Sequence, residues 1–254
     1  MEYLTFAFFA ILLAAVVMEA VDSSLGMMYG TVLAPLLIAV GFSPLDVVPA
    51  LLISQAVGGI AASFRHYQFR NASFNPQSED FKVAVMIFVL GIVAVMIGAF
   101  VGLKVSKFAL SLYIAILMLV MGLIVLVGVR FKFSWNRILI IGFISSFNKA
   151  LSGGGFGPVV TSGQMIVGRN GKNSVGSTTM SEVEICTASF VVWILLNRQC
   201  PSIPLMTALC VGALIGGGIG PYLLSRIKDG QLLTKCVGLL AVISGTLALI
   251  KILT

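Results

Sequence analysis

The chain has 254 residues, 59% of them hydrophobic and 10% charged, with 16 Lys/Arg against nine Asp/Glu and a formal net charge of +7. That apolar share exceeds what a water-soluble core needs and leaves too little polar surface to cover one, which excludes an ordinary soluble domain. The basic residues do not cluster on a soluble face, so the positive balance points to the bias of one set of membrane loops and not to nucleic acid.

Repeated apolar stretches of about 20 residues predict an all-α polytopic membrane protein. The first, YLTFAFFAILLAAVVMEAV, lacks a basic leading region and a clean small-residue cleavage site. It is expected to be a retained membrane helix and not a signal peptide. In chain order the apolar segments are 3–21, 30–42, 47–64, 83–103 and 108–129, then 138–149, 157–168, 174–196, 205–225 and 232–253. The second segment of each five has only 12 or 13 residues. At 1.5 Å per residue that is about 18–20 Å, short of a hydrocarbon core of about 30 Å, so these two read as half-helices.

Sliding the chain against itself by 127 residues lays GMMYGTVLAPLLIAVG, from Gly26, over GGGFGPVVTSGQMIVG, from Gly153. The register holds without a gap from Gly26/Gly153 to Ser54/Ser181, with identities at Gly30/Gly157, Val32/Val159, Val40/Val167, Gly41/Gly168 and Val48/Val175 as well. This predicts one membrane domain made of two repeats, about 1–130 and 131–254, as transporter folds produce. The first two segments of each repeat form either one broken helix or a re-entrant hairpin. With hairpins, one side of the membrane receives Arg65, Arg70, Lys82, Arg130, Lys132, Arg137, Arg169, Lys172, Arg226, Lys228 and Lys235. The other receives Lys104, Lys107, Arg198 and Lys251, with Lys149 at a hairpin tip. The broken-helix alternative divides the charges evenly. Positive-inside asymmetry favours hairpins, three full crossings per repeat, inverted halves and both termini outside; ten shallow crossings give the same parity.

The tips of the hairpins are then EAVDSSLGMMYG (Glu19–Gly30) and SSFNKALSGGGFG (Ser145–Gly157), approaching each other near the midplane. Non-helical backbone at that depth is tolerated where it lines a cavity or is buried in protein, and its free N–H groups with a helix N-terminus suit an anion. Close helix packing is the competing account of Gly153, Gly154 and Gly155, and the preferred account of GAFVG and GGGIG elsewhere. Ionisable groups in membrane segments are functional candidates by default. Lys149 either attracts an anion or forms a salt bridge with Asp22, its equivalent in the repeat. Glu19 lies one turn before Asp22. Glu182 is read as a proton carrier or as a hydrogen-bonded carboxyl, because its repeat mate Gln55 is also polar and Ser181 pairs with Ser54. Glu184 points elsewhere on the helix, towards an interface or a membrane edge. His66 and the sequon at Asn71 are expected on a cytoplasmic surface, and most of the four cysteines as buried small apolar residues. Met27 and Met28 without a Cys/His set do not make a metal site, and no catalytic triad, zinc spacing or phosphate loop is present, so neither an enzyme nor a cofactor is expected.

With the repeat in place the chain resembles the TauE/SafE family of sulfite-exporter-like membrane proteins. The resemblance rests on DSSLGMMYGTVLAPLLIAVGFSP, its echo LSGGGFGPVVTSGQMIVGR, and the GAFVG…LKVSK and GGGIGPYLLSRIK segments that close each half. It implies transport of sulfite, sulfoacetate or related organosulfonates across a bacterial inner membrane. The family's glycine-rich segments fall on Gly26–Gly30 and Gly153–Gly157, and the first departs from the pattern with Met27 and Met28. The expected anion site comprises Ser23, Ser24, Gly26, Tyr29, Gly30, Gln55, Lys149, Ser152, Gly153, Gly154, Gly155, Phe156, Gly157 and Ser181, with Glu182, Asp22 and Glu19 coupling protons. A cation-coupled carrier, a passive anion channel and a membrane assembly protein are the competing classes. Glycine-lined helix faces suggest a homodimer.

Overall fold

The computed structural model describes residues 2–102, 104, 106–128, 132–197 and 200–253. Arg130 and Arg198, both used in the loop-charge argument, lie outside these, as do the side chains of Lys107 and Lys251. Among the described residues ten helices follow in order: α1 (Glu2–Leu25), α2 (Tyr29–Val40), α3 (Pro44–Gln68), α4 (Glu79–Gly102), α5 (Lys107–Val127), α6 (Trp135–Ser152), α7 (Phe156–Ile166), α8 (Gly171–Asn197), α9 (Ile203–Arg226) and α10 (Gly230–Leu253). Among the described residues five are long and apolar enough to cross a membrane: Ala7–Leu25, Leu45–Gln68, Glu79–Gly102, Gly171–Leu196 and Ile203–Arg226. The short α2 and α7 have 12 and 11 residues.

The two halves repeat local structure as well as sequence. Both short helices end on a left-handed glycine, Gly41 (φ 113°) and Gly168 (φ 88°). Both long helices that follow start on an equivalent polar cap: Ser43 Oγ accepts from Leu45 N at 3.2 Å, and Asn170 Oδ1 accepts from Lys172 N at 2.9 Å. Such caps satisfy N–H groups that a helix end leaves open. Packing repeats too. Gly212, Gly216 and Gly220 of α9 seat against α1 at successive turns, while Gly91, Gly98 and Gly102 of α4 seat against α6. Small residues let these helix backbones approach closely.

Residues of α3 meet α8 in opposite order. Gln55 touches Glu182, Gly59 touches Val183 and Thr179, and His66 reaches Thr179 and Gly176. The pair α5 and α10 does the same, with Leu126 on Gly238, Gly122 on Val242 and Ala115 on Gly245. These four helices therefore pack antiparallel to their repeat mates. Because α1 and α3 both lie along α9 in the same direction, α2 must run back between them.

The irregular tips are shorter than expected. Helix α1 continues through Glu19, Asp22, Ser23 and Ser24, and α6 through Ser145 to Ser152, leaving only 26–28 and 153–155 non-helical. A polar side chain does not end a helix whose backbone bonds are satisfied; a left-handed residue does. Gly153 (φ 74°) and Gly155 (φ 73°) provide that in the second turn, and Gly26 (φ 77°) with Met28 (φ 122°) in the first. The two turns lie side by side in opposite directions, Gly26 against Gly157 and Gly30 against Gly153 and Gly154, so close that a Cβ on Gly157 would overlap the Gly26 carbonyl. Gly157→Ala is expected to cost about 1–3 kcal/mol through overpacking. Gly218→Ala, facing open space on α9, is expected to be neutral or stabilising by up to about 1 kcal/mol. Thermal unfolding in detergent measures both, and equal midpoints would contradict the close crossing.

Candidate functional site

Three polar side chains meet where α3, α6 and α8 converge. The Lys149 ammonium donates to Glu182 Oε1 at 2.7 Å and also to Gln55 Oε1. Gln55 Nε2 donates to the same Glu182 oxygen at 2.9 Å. All three are buried, Lys149 to 1% exposure. Gln55 and Glu182 are 127 positions apart, so these two repeat mates touch. The partner of Lys149 is Glu182. Asp22, at the position equivalent to Lys149, lies beside Glu182 and accepts from Tyr29 N at 3.0 Å at the start of α2.

That contact makes the two half-helix N-termini unlike. The Asp22 carboxylate sits at the positive end of α2, where a negative group is stabilised. The equivalent position before α7 is Lys149, whose ammonium is taken up by Gln55 and Glu182, and α7 follows Gly155 with no side-chain cap. The turn before it is partly satisfied: Gly153 N donates to Lys149 O, Gly154 N to Ser152 Oγ at 3.2 Å, and Gly155 N to Thr31 Oγ1 at 3.3 Å. Ser152 Oγ itself donates to Asn148 O at 2.9 Å.

Glu19 and Asp22 are also buried and feel each other and Glu182, so three carboxyl groups surround one ammonium. Fully ionised, the centre would carry a net charge of −2. Glu19 Oε2 has no hydrogen-bond partner. Tyr29 reaches Ser54 Oγ at 2.9 Å and Leu209 O at 3.3 Å, whereas its mate Phe156 is wholly buried in an apolar cluster. Three expected ligands lie apart from the converging group. Ser23 Oγ bonds Glu19 O and faces Gly220, Ser24 Oγ bonds Val21 O, and Ser181 Oγ bonds Ser177 O.

Some expectations are corrected here. His66 is fully buried, held between Asn71 at 3.2 Å and Thr179 at 3.4 Å, because α3 runs on to Gln68 and its last turn packs on α8. Asn71 is buried as well and donates to Pro221 O. Cys200 is exposed while Cys186 is buried. Arg169, counted as a loop charge, is enclosed: its guanidinium bonds Asp80, Gln164 and Ser177, and Asp80 also accepts from Asn173 and Ser73 N. The repeat gave no hint of that network, since Arg169, Gln164 and Ser177 stand opposite Phe42, Leu37 and Ala50. The usable signal was Gln164, a polar residue in a short apolar half-helix.

Apolar helices crossing the bilayer around a buried charged centre describe a membrane transporter. Residues 11–248 match the family model described as Sulfite exporter TauE/SafE, and the chain belongs to that family of membrane transporters. It is 25% identical to the "Probable membrane transporter protein YtnM" of Bacillus subtilis (strain 168), over 93% of this chain and 79% of that protein. No solved structure matches it.

Removing one partner of a buried ion pair strands the other, at a cost of about 3–5 kcal/mol, whereas an apolar pair of similar size is often tolerated. Glu182→Leu is expected to lower the unfolding midpoint strongly, and Lys149→Met combined with Glu182→Leu to recover most of the loss. A double variant no more stable than Glu182→Leu would refute the pairing.

Proposed function

We propose that this protein is a secondary transporter of small sulfur oxyanions, sulfite or related organosulfonates, working by alternating access. The observation that carries the reading is the broken symmetry of the two half-helices. Asp22 caps the N-terminus of α2 from within, while the uncapped N-terminus of α7 follows the turn that Lys149, Ser152 and Gly153–Gly155 lead into. The positive end of a helix, backbone N–H groups and a lysine together favour a compact anion. The family and the name of the bacillary relative support the transport class.

Inverted halves are favoured by the antiparallel packing of α3 on α8 and α5 on α10. A two-fold axis that reverses a membrane helix lies in the membrane plane, and rocking one half against the other then exposes a central site to each face in turn. With the loop charges, this supports an inner-membrane protein of one domain with both termini and the α8–α9 connection outside. Cys200, exposed on that connection, is expected to react with an impermeant maleimide added to intact cells. Labelling only after the cells are opened would invert the topology.

Glu182 serves as the proton switch in this reading. Paired with Glu182, Lys149 is neutralised; when Glu182 takes a proton, the ammonium is released to the anion, so proton and anion are carried together. Uncompensated carboxylates in a buried site are costly, and Asp22 and Glu19 add to the demand for a proton or a cation. In proteoliposomes, labelled sulfite flux is expected to rise when a proton gradient runs in the same direction. Lys149→Ala is expected to abolish flux, and Glu182→Gln to make the flux of methanesulfonate, which carries no proton of its own, ignore the gradient. Full transport by folded Lys149→Ala would sink the anion site. Gradient dependence of methanesulfonate flux that persists in Glu182→Gln would take the proton away from this carboxyl.

A further inference from the structure

Successive turns on one face of α6 bear Ser145, Asn148 and Ser152, a polar stripe that leads to the start of α7. Asn148 is completely buried, yet neither its Nδ2 nor its Oδ1 has a hydrogen-bond partner. Tyr113 of α5 approaches the amide without completing a hydrogen bond. Ser162, on the facing half-helix α7, is also fully buried with an unpartnered hydroxyl. A buried amide with nothing to bond is destabilising, and native interiors rarely keep one without a reason.

The duplicated fold contains its own control. At the positions equivalent to Ser145, Asn148 and Ser152 the first half carries Met18, Val21 and Leu25, and opposite Ser162 it carries Pro35. Helix α1 packs against α9 as α6 packs against α4, so this architecture is content with apolar residues there. Folding does not require the amide at 148.

We propose that Asn148 is a direct ligand of the transported anion and selects hydrogensulfite over sulfonates. This rests on the oxyanion reading above. A carboxamide offers two N–H donors and a carbonyl acceptor. Hydrogensulfite supplies acceptor oxygens and one O–H donor, so it satisfies both ends of the amide. The head of a sulfonate has acceptors only and leaves Oδ1 unsatisfied, and a site built to bond a hydroxyl discriminates against a ligand without one.

The test uses labelled sulfite and methanesulfonate in proteoliposomes containing the full chain. Wild type is expected to prefer sulfite. Asn148→Val, which copies the first half, and Asn148→Leu, which conserves volume, are expected to raise the KM for sulfite at least tenfold and to remove the preference, with an unfolding midpoint equal to or above wild type. Sulfite is expected to raise the wild-type midpoint and not those of the variants. A variant that keeps both the sulfite KM within twofold and the preference overturns the inference while leaving the transport reading intact. Loss of thermal stability together with an unchanged preference would do the same, by making Asn148 structural. Wild-type protein that carries neither anion overturns the oxyanion reading and this inference with it.

Discussion

The rest of the molecule is arranged around two helix interruptions that must be kept away from lipid. Backbone N–H and C=O groups released by a broken helix have no water to turn to at mid-membrane, so the break has to be enclosed by protein. Here each turn encloses the other. Gly26 lies on Gly157 and Gly30 on Gly153, with the Gly26 carbonyl accepting from Thr161 Oγ1 at 2.9 Å. Only residues without a Cβ allow two backbones to come so close, and the helices around the turns follow from that crossing: α3 and α8 flank it, and α1 and α6 deliver the chain to it.

A charged centre beside those turns follows from the same geometry. Gln55 and Glu182, 127 positions apart in the chain, touch. Identical residues there would confront each other, and two carboxylates would repel. One is an amide, whose Nε2 donates to the carboxylate while its Oε1 accepts from Lys149. The pair thus needs only one ammonium, and Lys149 reaches it from the end of α6.

Much of the architecture was legible in the sequence because long apolar runs and a gap-free 127-residue register are strong signals. All ten segments correspond to helices, and Gln55 and Glu182 were already matched as polar mates. The misassigned details share a physical cause. Symmetry offers Asp22 to Lys149, but Lys149 bonds Gln55 and Glu182 while Asp22 accepts from Tyr29 N, because which groups meet depends on how the helices cross. Turn lengths were overestimated because polar side chains were read as breaks, while φ decides where a helix ends. Arg169 and Asp80 were invisible as a pair, since their partnership joins the α7–α8 connection to α4 across 89 positions.

Duplication builds a symmetric shell, but a small anion has one charge to place, and a symmetric site would offer it two equal half-sites. The departures from symmetry remove one of them. Asp22 occupies the end of α2 that an anion would seek, and Met28 stands where the second copy has Gly155, at a φ of 122° that a side chain rarely adopts. In the second half the same positions carry Lys149 and a third glycine, with Asn148 and Ser152 where the first half is apolar. In the proposed reading the first half acts as the internal counter-charge and the scaffold, and the second as the receptor. A duplicated chain gains direction of function by losing its symmetry only at these few positions, since the glycines that hold the turns together must stay the same in both.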